Sequence, residues 1–97
     1  MLDFEEVINA DFECSEEKND WLKRTRRLSF EGAVRHIRQR EILDADDHPN
    51  QERYPGQVMI VVNIENYAHL VPAVKTGSGY FLKTVIPSRK ATRDYLR

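Results

Sequence analysis

The chain has 97 residues, of which 40% are hydrophobic and 32% charged, with a formal net charge of −1. One domain spanning residues 1–97 is the expectation at that length, with a modest core that needs no covalent staples. The composition excludes a disordered chain, the longest apolar run (Val58 to Val62) is too short to cross a membrane, and a lone cysteine, Cys14, excludes an intramolecular disulfide.

The N-terminus, M-L-D-F-E-E, is acidic and lacks the basic-then-apolar order of a signal peptide, so a cytoplasmic location is expected. Charge is strongly segregated. Residues 1–20 hold eight acids and one base, residues 21–40 seven bases and one acid, residues 41–52 five acids and no base, and residues 53–97 seven bases and two acids. Blocks of alternating sign either fold against each other or leave a bipolar surface, with one face for a nucleic acid and another for a basic partner. Cys14 reads as a small hydrophobe, since nothing near it argues for an activated thiol.

The first ten residues are weakly patterned. Phe12 and Cys14 alternate with Asp11 and Glu13, which predicts a short strand over 10–14. Ser15 followed by Glu16 and Glu17 is a helix start, because the hydroxyl caps free amides and acids favour the positive end of the helix dipole. This helix runs over 16–26, where Lys23, Arg24 and Arg26 suit its negative end. Its apolar content is thin, so it is expected to lie on the surface, anchored by Trp21. Ser29 caps a second helix, in which Phe30, Ala33, Val34 and Ile37 fall at i, i+3, i+4 and i+7 as one apolar stripe. Gly32 inside that helix lowers its intrinsic stability.

Residues 44–57 carry two prolines, a glycine and several acids, and read as one long loop. His48, Glu52, Arg53 and Tyr54 in it can transfer protons or bind anions. Asp46, Asp47, His48 and Glu52 can also be read as ligands of a divalent ion, but no metal motif matches their spacing; no metal or other cofactor is assigned.

A sheet follows. Val58, Ile60, Val62 and Ile64 share one face and Met59, Val61 and Asn63 the other, the pattern of a central strand. Glu65 and Asn66 make a tight turn. The next strand covers 67–74, and Pro72 within it argues for an edge position or a bulge. Thr76 to Gly79 turn the chain again. In the third strand Tyr80, Leu82, Thr84 and Ile86 face one side and Phe81, Lys83 and Val85 the other, until Pro87 ends it. Ser88 caps a short closing helix that carries Arg89, Lys90 and Arg93. Lys83 inside an apolar strand, followed by Ser88, Arg89, Lys90 and Thr92, crowds anion-holding groups at one strand end, which suits a phosphate backbone. The competing reading is a set of ordinary solvated charges. The expected fold is α+β: two N-terminal helices packed on an antiparallel β-meander of three to four strands, with a short C-terminal helix. Val58, Ile60, Val62, Ile64, Leu82 and Ile86 form the expected core.

Three stretches together resemble a known family. They are S-F-E-G-A-V from Ser29, the loop pattern D-x-H-x-x-x-E-R-Y made by Asp46, His48, Glu52, Arg53 and Tyr54, and the closing P-S-R-K-A-T-R-D-Y from Pro87. Over residues 12–96 the chain resembles the BrnT-like toxins of type II toxin–antitoxin systems, small bacterial proteins similar in fold to RelE-type ribonucleases. The resemblance implies metal-independent endoribonuclease activity and a cognate antitoxin protein as partner. Internal cleavage of RNA uses the 2′-OH as nucleophile, so the protein must supply a proton acceptor, cations for the charged transition state and an acid for the leaving oxygen. Arg53 and Arg89 are assigned to the phosphate, Lys83 to further charge stabilisation, and His48 or Glu52 to the base. Tyr54 or Tyr80 would stack a nucleobase, and Ser88, Lys90 and Arg93 would line the RNA backbone. A non-catalytic toxin-fold module that pairs with a protein partner or a nucleic acid is the alternative, and a metal hydrolase built on the 46–52 loop the third reading. Residues 1–20 or 21–40 would meet the antitoxin; a homo-oligomer stays open.

Overall fold

Each of the four helices begins at a residue whose side-chain oxygen accepts an amide of the first turn. In the computed structural model, which describes residues 1–97, these are Asp3 for α1 (Phe4–Ile8), Ser15 for α2 (Glu16–Thr25), Ser29 for α3 (Phe30–Arg38) and Ser88 for α4 (Arg89–Leu96). The cap explains Gly32. Its amide donates to Ser29 Oγ at 2.9 Å, and a Cβ on residue 32 would lie 3.1 Å from the same oxygen. The strands are β1 (Asp11–Cys14), β2 (Ile42–Asp47), β3 (Gln57–Ile64), β4 (Tyr67–Lys75), β5 (Gly79–Leu82) and β6 (Ile86–Pro87).

The fold is α+β, as expected, but the sheet is wider than a three- or four-stranded meander. Its six strands run in the order β1-β5-β4-β3-β2, with β6 also on β4. The β1–β5 pair is parallel and the others are antiparallel, so the sheet is mixed. β5 and β6 share one flank of β4: β5 pairs with Ala73 to Lys75, β6 with His69 and Leu70. Pro72 falls between them, in the interior of the sheet rather than at an edge. Its carbonyl accepts from the Lys83 amide at 2.9 Å, on the β5–β6 side. In an antiparallel ladder a residue's N and O point to the same neighbour, so the missing N–H of Pro72 faces the interruption between β5 and β6 and costs no ladder bond.

Two cores of unequal size flank the sheet. Sixteen buried residues join Val58, Ile60 and Val62 of β3 to Val71, Ala73, Tyr80 and Leu82, and to Val7, Leu22, Phe30, Ala33 and Ile37 of α1 to α3. On the other face only Val61, Ala68 and Ala91 are buried together, where α4 crosses the sheet. Burial of apolar area under the three N-terminal helices is therefore the main source of stability.

Several sequence expectations are corrected here. The five-residue α1, with Val7 fully buried, lies in the stretch that looked unpatterned. β2 takes up residues 44–47 of the expected loop. Its inward Ala45 is fully buried between Asp44 and Asp46, so the acids of the outer face hid the alternation. The third strand stops at Leu82, and residues 83–85 leave the ladder before β6 resumes it. The phase therefore slips by one residue: Val85 is fully buried, while Ile86 is 36% exposed. Leu22, not Trp21, anchors α2 in the core. Trp21 is half-buried beneath the Lys18 ammonium and the Arg26 guanidinium. Arg26 in turn donates to the Val85 carbonyl at 2.8 Å. The charge blocks do fold against each other in places, with Arg40 against Glu5 and Lys75 Nζ 3.0 Å from Asp47 Oδ1. No helix is long and apolar enough to cross a membrane.

Leu22→Ala is expected to lower unfolding stability by about 2–5 kcal/mol, whereas Ile86→Ala should cost less than about 1 kcal/mol. Urea midpoints at unchanged m-value would show the order. The reverse order would place Ile86, not the N-terminal helices, in the core.

Candidate nucleic-acid interface

The placement of α4 follows from how its first turn meets β4. Both hydrogen-bonding groups of Ala68 point past the end of β6. The Ser88 amide donates to the Ala68 carbonyl at 2.9 Å, and the Ala68 amide donates to Thr92 Oγ at 2.9 Å. The buried Thr92 hydroxyl donates in turn to the Ser88 carbonyl at 2.8 Å. One turn further on, the Tyr95 hydroxyl donates to Asp44 Oδ2 of β2 at 2.5 Å. That contact pushes the Tyr95 phenol up to about 12, because ionising it would set a second negative charge beside Asp44.

With positions 88, 91, 92 and 95 turned to the sheet, the rest of α4 is divided into two flanks. Residues four apart share a face of a helix, so Arg89, Arg93 and Arg97 stand in one row about 12 Å long. They line a groove of about 330 Å³ with Tyr67 and Thr92, and no Asp or Glu side chain lines it. Arg89 and Arg97 make no ion pair; Arg93 Nε lies 3.7 Å from Asp94 Oδ1. Tyr67 lines the groove from the sheet, with its side chain on the face of His69, Val71 and Ala73 and not on that of Ala68 beneath α4. It is the first residue of β4 and follows the tight turn at Glu65 and Asn66, whose φ angles are 53° and 64°. Its carbonyl accepts from His69 Nδ1 at 2.9 Å, and burial lowers the pKa of that imidazole.

The opposite flank of α4 is acidic. Asp44, Asp46, Asp47 and Asp94 rim a cleft floored by Met59, Val61 and Leu70. Lys90 belongs there, with Nζ 3.0 Å from Asp94 Oδ2, which lowers the Asp94 pKa. This corrects the expectation that Lys90 joins Arg89 and Arg93 along one backbone. Ser88, also expected along the backbone, lines the acidic cleft and not the arginine groove, and its Oγ accepts from the Ala91 amide at 3.0 Å.

The loop candidates lie elsewhere. His48, Glu52, Arg53 and Tyr54 belong to the 48–56 loop that leads into Gln57, the start of β3. The Tyr54 ring packs against His48, with centroids 4.4 Å apart, and the Arg53 guanidinium lies 5.5 Å from the Tyr54 ring. The Asn50 amide donates to His48 Nδ1 at 3.0 Å, so that nitrogen is already an acceptor. Tyr67 pairs with Ile64, at the other end of β3. Seven strand steps separate the two ends, roughly 23 Å, and none of the four loop residues lines the arginine groove. Arg53 and Arg89 are thus not brought to one phosphate within a chain. Lys83 is exposed just after β5, outside that groove. Tyr80 is a further correction. It is buried in the main core beside Phe12, with ring centroids 6.1 Å apart, and burial raises its phenol pKa, so it presents no face to a nucleobase.

No three His, Cys, Asp or Glu side chains come together in a way that could hold a metal ion. Cys14, expected as a small hydrophobe, is exposed. Partial burial and the charges of Glu31 and Glu16 hold its thiol pKa above the usual range, which disfavours a nucleophilic role. Arg97 and Tyr67 are the groove residues that sequence reasoning did not single out. The helical spacing of 89, 93 and 97 would have found Arg97, whereas Tyr67 joins them only through the fold.

The Tyr95 contact has a pH signature. Its pKa is raised above the ordinary 10.0, so its contribution is complete below about pH 10 and is lost as pH rises through about 12. In an ultraviolet titration, Asp44→Asn should move one phenol from near pH 12 back toward the ordinary range, and an unchanged curve would show that the contact is not formed in solution. Comparison with protein-family models, with curated proteins and with solved structures finds no match for this chain.

Proposed function

We propose that the protein is the toxin component of a toxin–antitoxin pair and acts on RNA through the arginine flank of α4. The observation that carries this reading is the row of Arg89, Arg93 and Arg97 in one groove that no Asp or Glu side chain lines. A guanidinium offers a planar fork of donors that matches phosphate oxygens, and three in a row suit a chain of phosphates better than a single anion. The resemblance of the loop and closing motifs to BrnT-like toxins supports RNA as that polyanion and an antitoxin as the protein partner. The opposite flank of α4 offers no such row, since Lys90, the cation that lines it, is paired with Asp94.

Endonucleolytic cleavage also needs a proton acceptor at the phosphate. The second reading, a toxin-fold module that binds RNA without cutting it, is favoured by the separation of His48, Glu52 and Arg53 from Arg89 along the length of β3.

Controlled induction in a bacterial host, with RNA binding and cleavage measured on purified protein, tests both. Wild type is expected to arrest growth and to bind RNA with strong salt dependence. The Arg89→Ala, Arg93→Ala, Arg97→Ala variant should lose arrest, and its log–log salt slope should fall by about 2, at roughly 0.7 for each single-strand phosphate contact. Binding without cleavage or arrest selects the binding module. Wild type with no salt-dependent RNA affinity overturns both readings.

A further inference from the structure

We propose that the part of the sheet left open beside α4 docks an amphipathic helix of a protein partner, apolar along one side and basic along the flank that faces β2. The surface lies across α4 from the arginine row, so the inference stands apart from the RNA reading. α1, α2 and α3 pack on one face of the sheet, whereas α4 covers the other only around Val61 and Ala68. Side chains two apart in a strand share a face, so Leu70, Pro72 and Val74 continue the α4 face of β4 beyond Ala68. The ladder sets Ile86 beside Leu70, Met59 beside Pro72 and Phe81 beside Val74. Together they make one apolar surface across β3, β4, β5 and β6. Phe81 is 38% and Ile86 36% exposed, and the others are half-buried. Apolar side chains gathered in one patch, unlike single exposed ones, mark a contact surface.

Shape and backbone chemistry point to a helix as the occupant. β3 and β4 each have a strand on both sides, so their ladder groups are already paired. An extended chain laid on this face would find no ladder bonds, whereas a helix satisfies its own backbone. Ala68 and Val74 are six strand steps apart, roughly 20 Å. That leaves room for a second helix beside α4 at the usual separation of axes, about 10 Å.

Charge fixes which flank of that helix is basic. The cleft along α4, of about 530 Å³, is lined by Asp44, Asp46, Asp47 and Asp94, with Lys90 as its one cation. On the β1 side the charges offset each other: Glu13 stands beside Phe81 in the ladder, and the exposed Lys83 donates its amide to Pro72. The negative excess therefore lies on the β2 side, where a row of Lys or Arg on the incoming helix would meet it. A two-fold pairing of this face with a second copy of the chain would set the aspartates against each other, which disfavours self-association.

Three labelled peptides of about 14 residues, long enough to span the face as a helix, test this by fluorescence anisotropy. One carries a leucine stripe flanked by lysines, one has glutamates in place of the lysines, and one scrambles the order of the first. Wild type is expected to bind the striped basic peptide at least about tenfold more tightly than either of the others. Phe81→Ser with Ile86→Ser should lose about tenfold or more. Asp46→Asn with Asp47→Asn should lose about threefold to tenfold and weaken the salt dependence. Both aspartates are exposed, so this pair reads the site should the serine variant not fold. The Arg89→Ala, Arg93→Ala, Arg97→Ala variant should bind like wild type, and amide shifts induced by the basic peptide should centre on Met59, Leu70 and Phe81. Wild type that binds no peptide, equal affinity for striped and scrambled peptides, binding unchanged in the folded serine or asparagine variants, or shifts centred elsewhere overturns the proposal. So does a wild-type dimer abolished by Phe81→Ser with Ile86→Ser, which would make a second copy the occupant. RNA affinity and its arginine-dependent salt slope are read separately, and none of these outcomes alters them.

Discussion

The pairing of Ala68 with the first turn of α4 is the contact on which the candidate site depends. Where β6 ends, an N–H and a C=O of β4 would be left without partners, and a buried group of that kind costs about 1–3 kcal/mol. The Ser88 amide and the Thr92 hydroxyl complete both. The closing motif can be sorted on this basis. Pro87 ends the strand, Ser88 caps the helix, Ala91 is small enough to lie against Val61 and Ala68, and Thr92 locks the turn to β4. Arg89 and Lys90, the two charged residues between cap and lock, are left to the two flanks.

α4 therefore works as a divider between fields of opposite sign. The arginine row lies on one side, and four aspartates rim the cleft on the other. The acidic cleft is tied inward by the Tyr95 hydroxyl on Asp44 and by Lys90 on Asp94. The near-zero net charge of the chain conceals this arrangement, since charges that cancel in the total stand on different sides of one helix. Close-range recognition of a polyanion depends on the local field rather than the sum.

Stability and the candidate site lie on opposite faces of the sheet. The face under α1, α2 and α3 holds the large apolar core, and the α4 face holds a small one. Besides the small apolar patch at Ala91, α4 is held by directional polar contacts at Ala68 and Asp44. Such contacts set a helix's rotation more narrowly than apolar burial, which is non-directional. Rotation is what decides which side chains enter the groove: a turn of one residue would exchange Arg89 for Lys90.

Elements whose causes are local can be read along the chain. Ser15, Ser29 and Ser88 marked three helix starts, the stripe from Phe30 to Ile37 marked the buried face of α3, and the alternation of Val58, Ile60 and Val62 marked a central strand. The sequence also marked Arg89 and Arg93 as charges on one short helix. Tertiary structure decided the rest. Ala45 is core because, beside Ile60 in the ladder, it turns to the face of the main core, although its neighbours are acids. Val85 replaces Ile86 in the core because the chain leaves the ladder between β5 and β6. Pro72 is tolerated inside the sheet because that same interruption faces its missing N–H. The loop and closing motifs, close in chemistry, are held apart by the length of β3, and the arginine row faces one groove only because Ala68 fixes how α4 lies on β4. Periodicity and capping are properties of neighbours in the chain, whereas a groove is made by residues that only the packing of distant segments brings together.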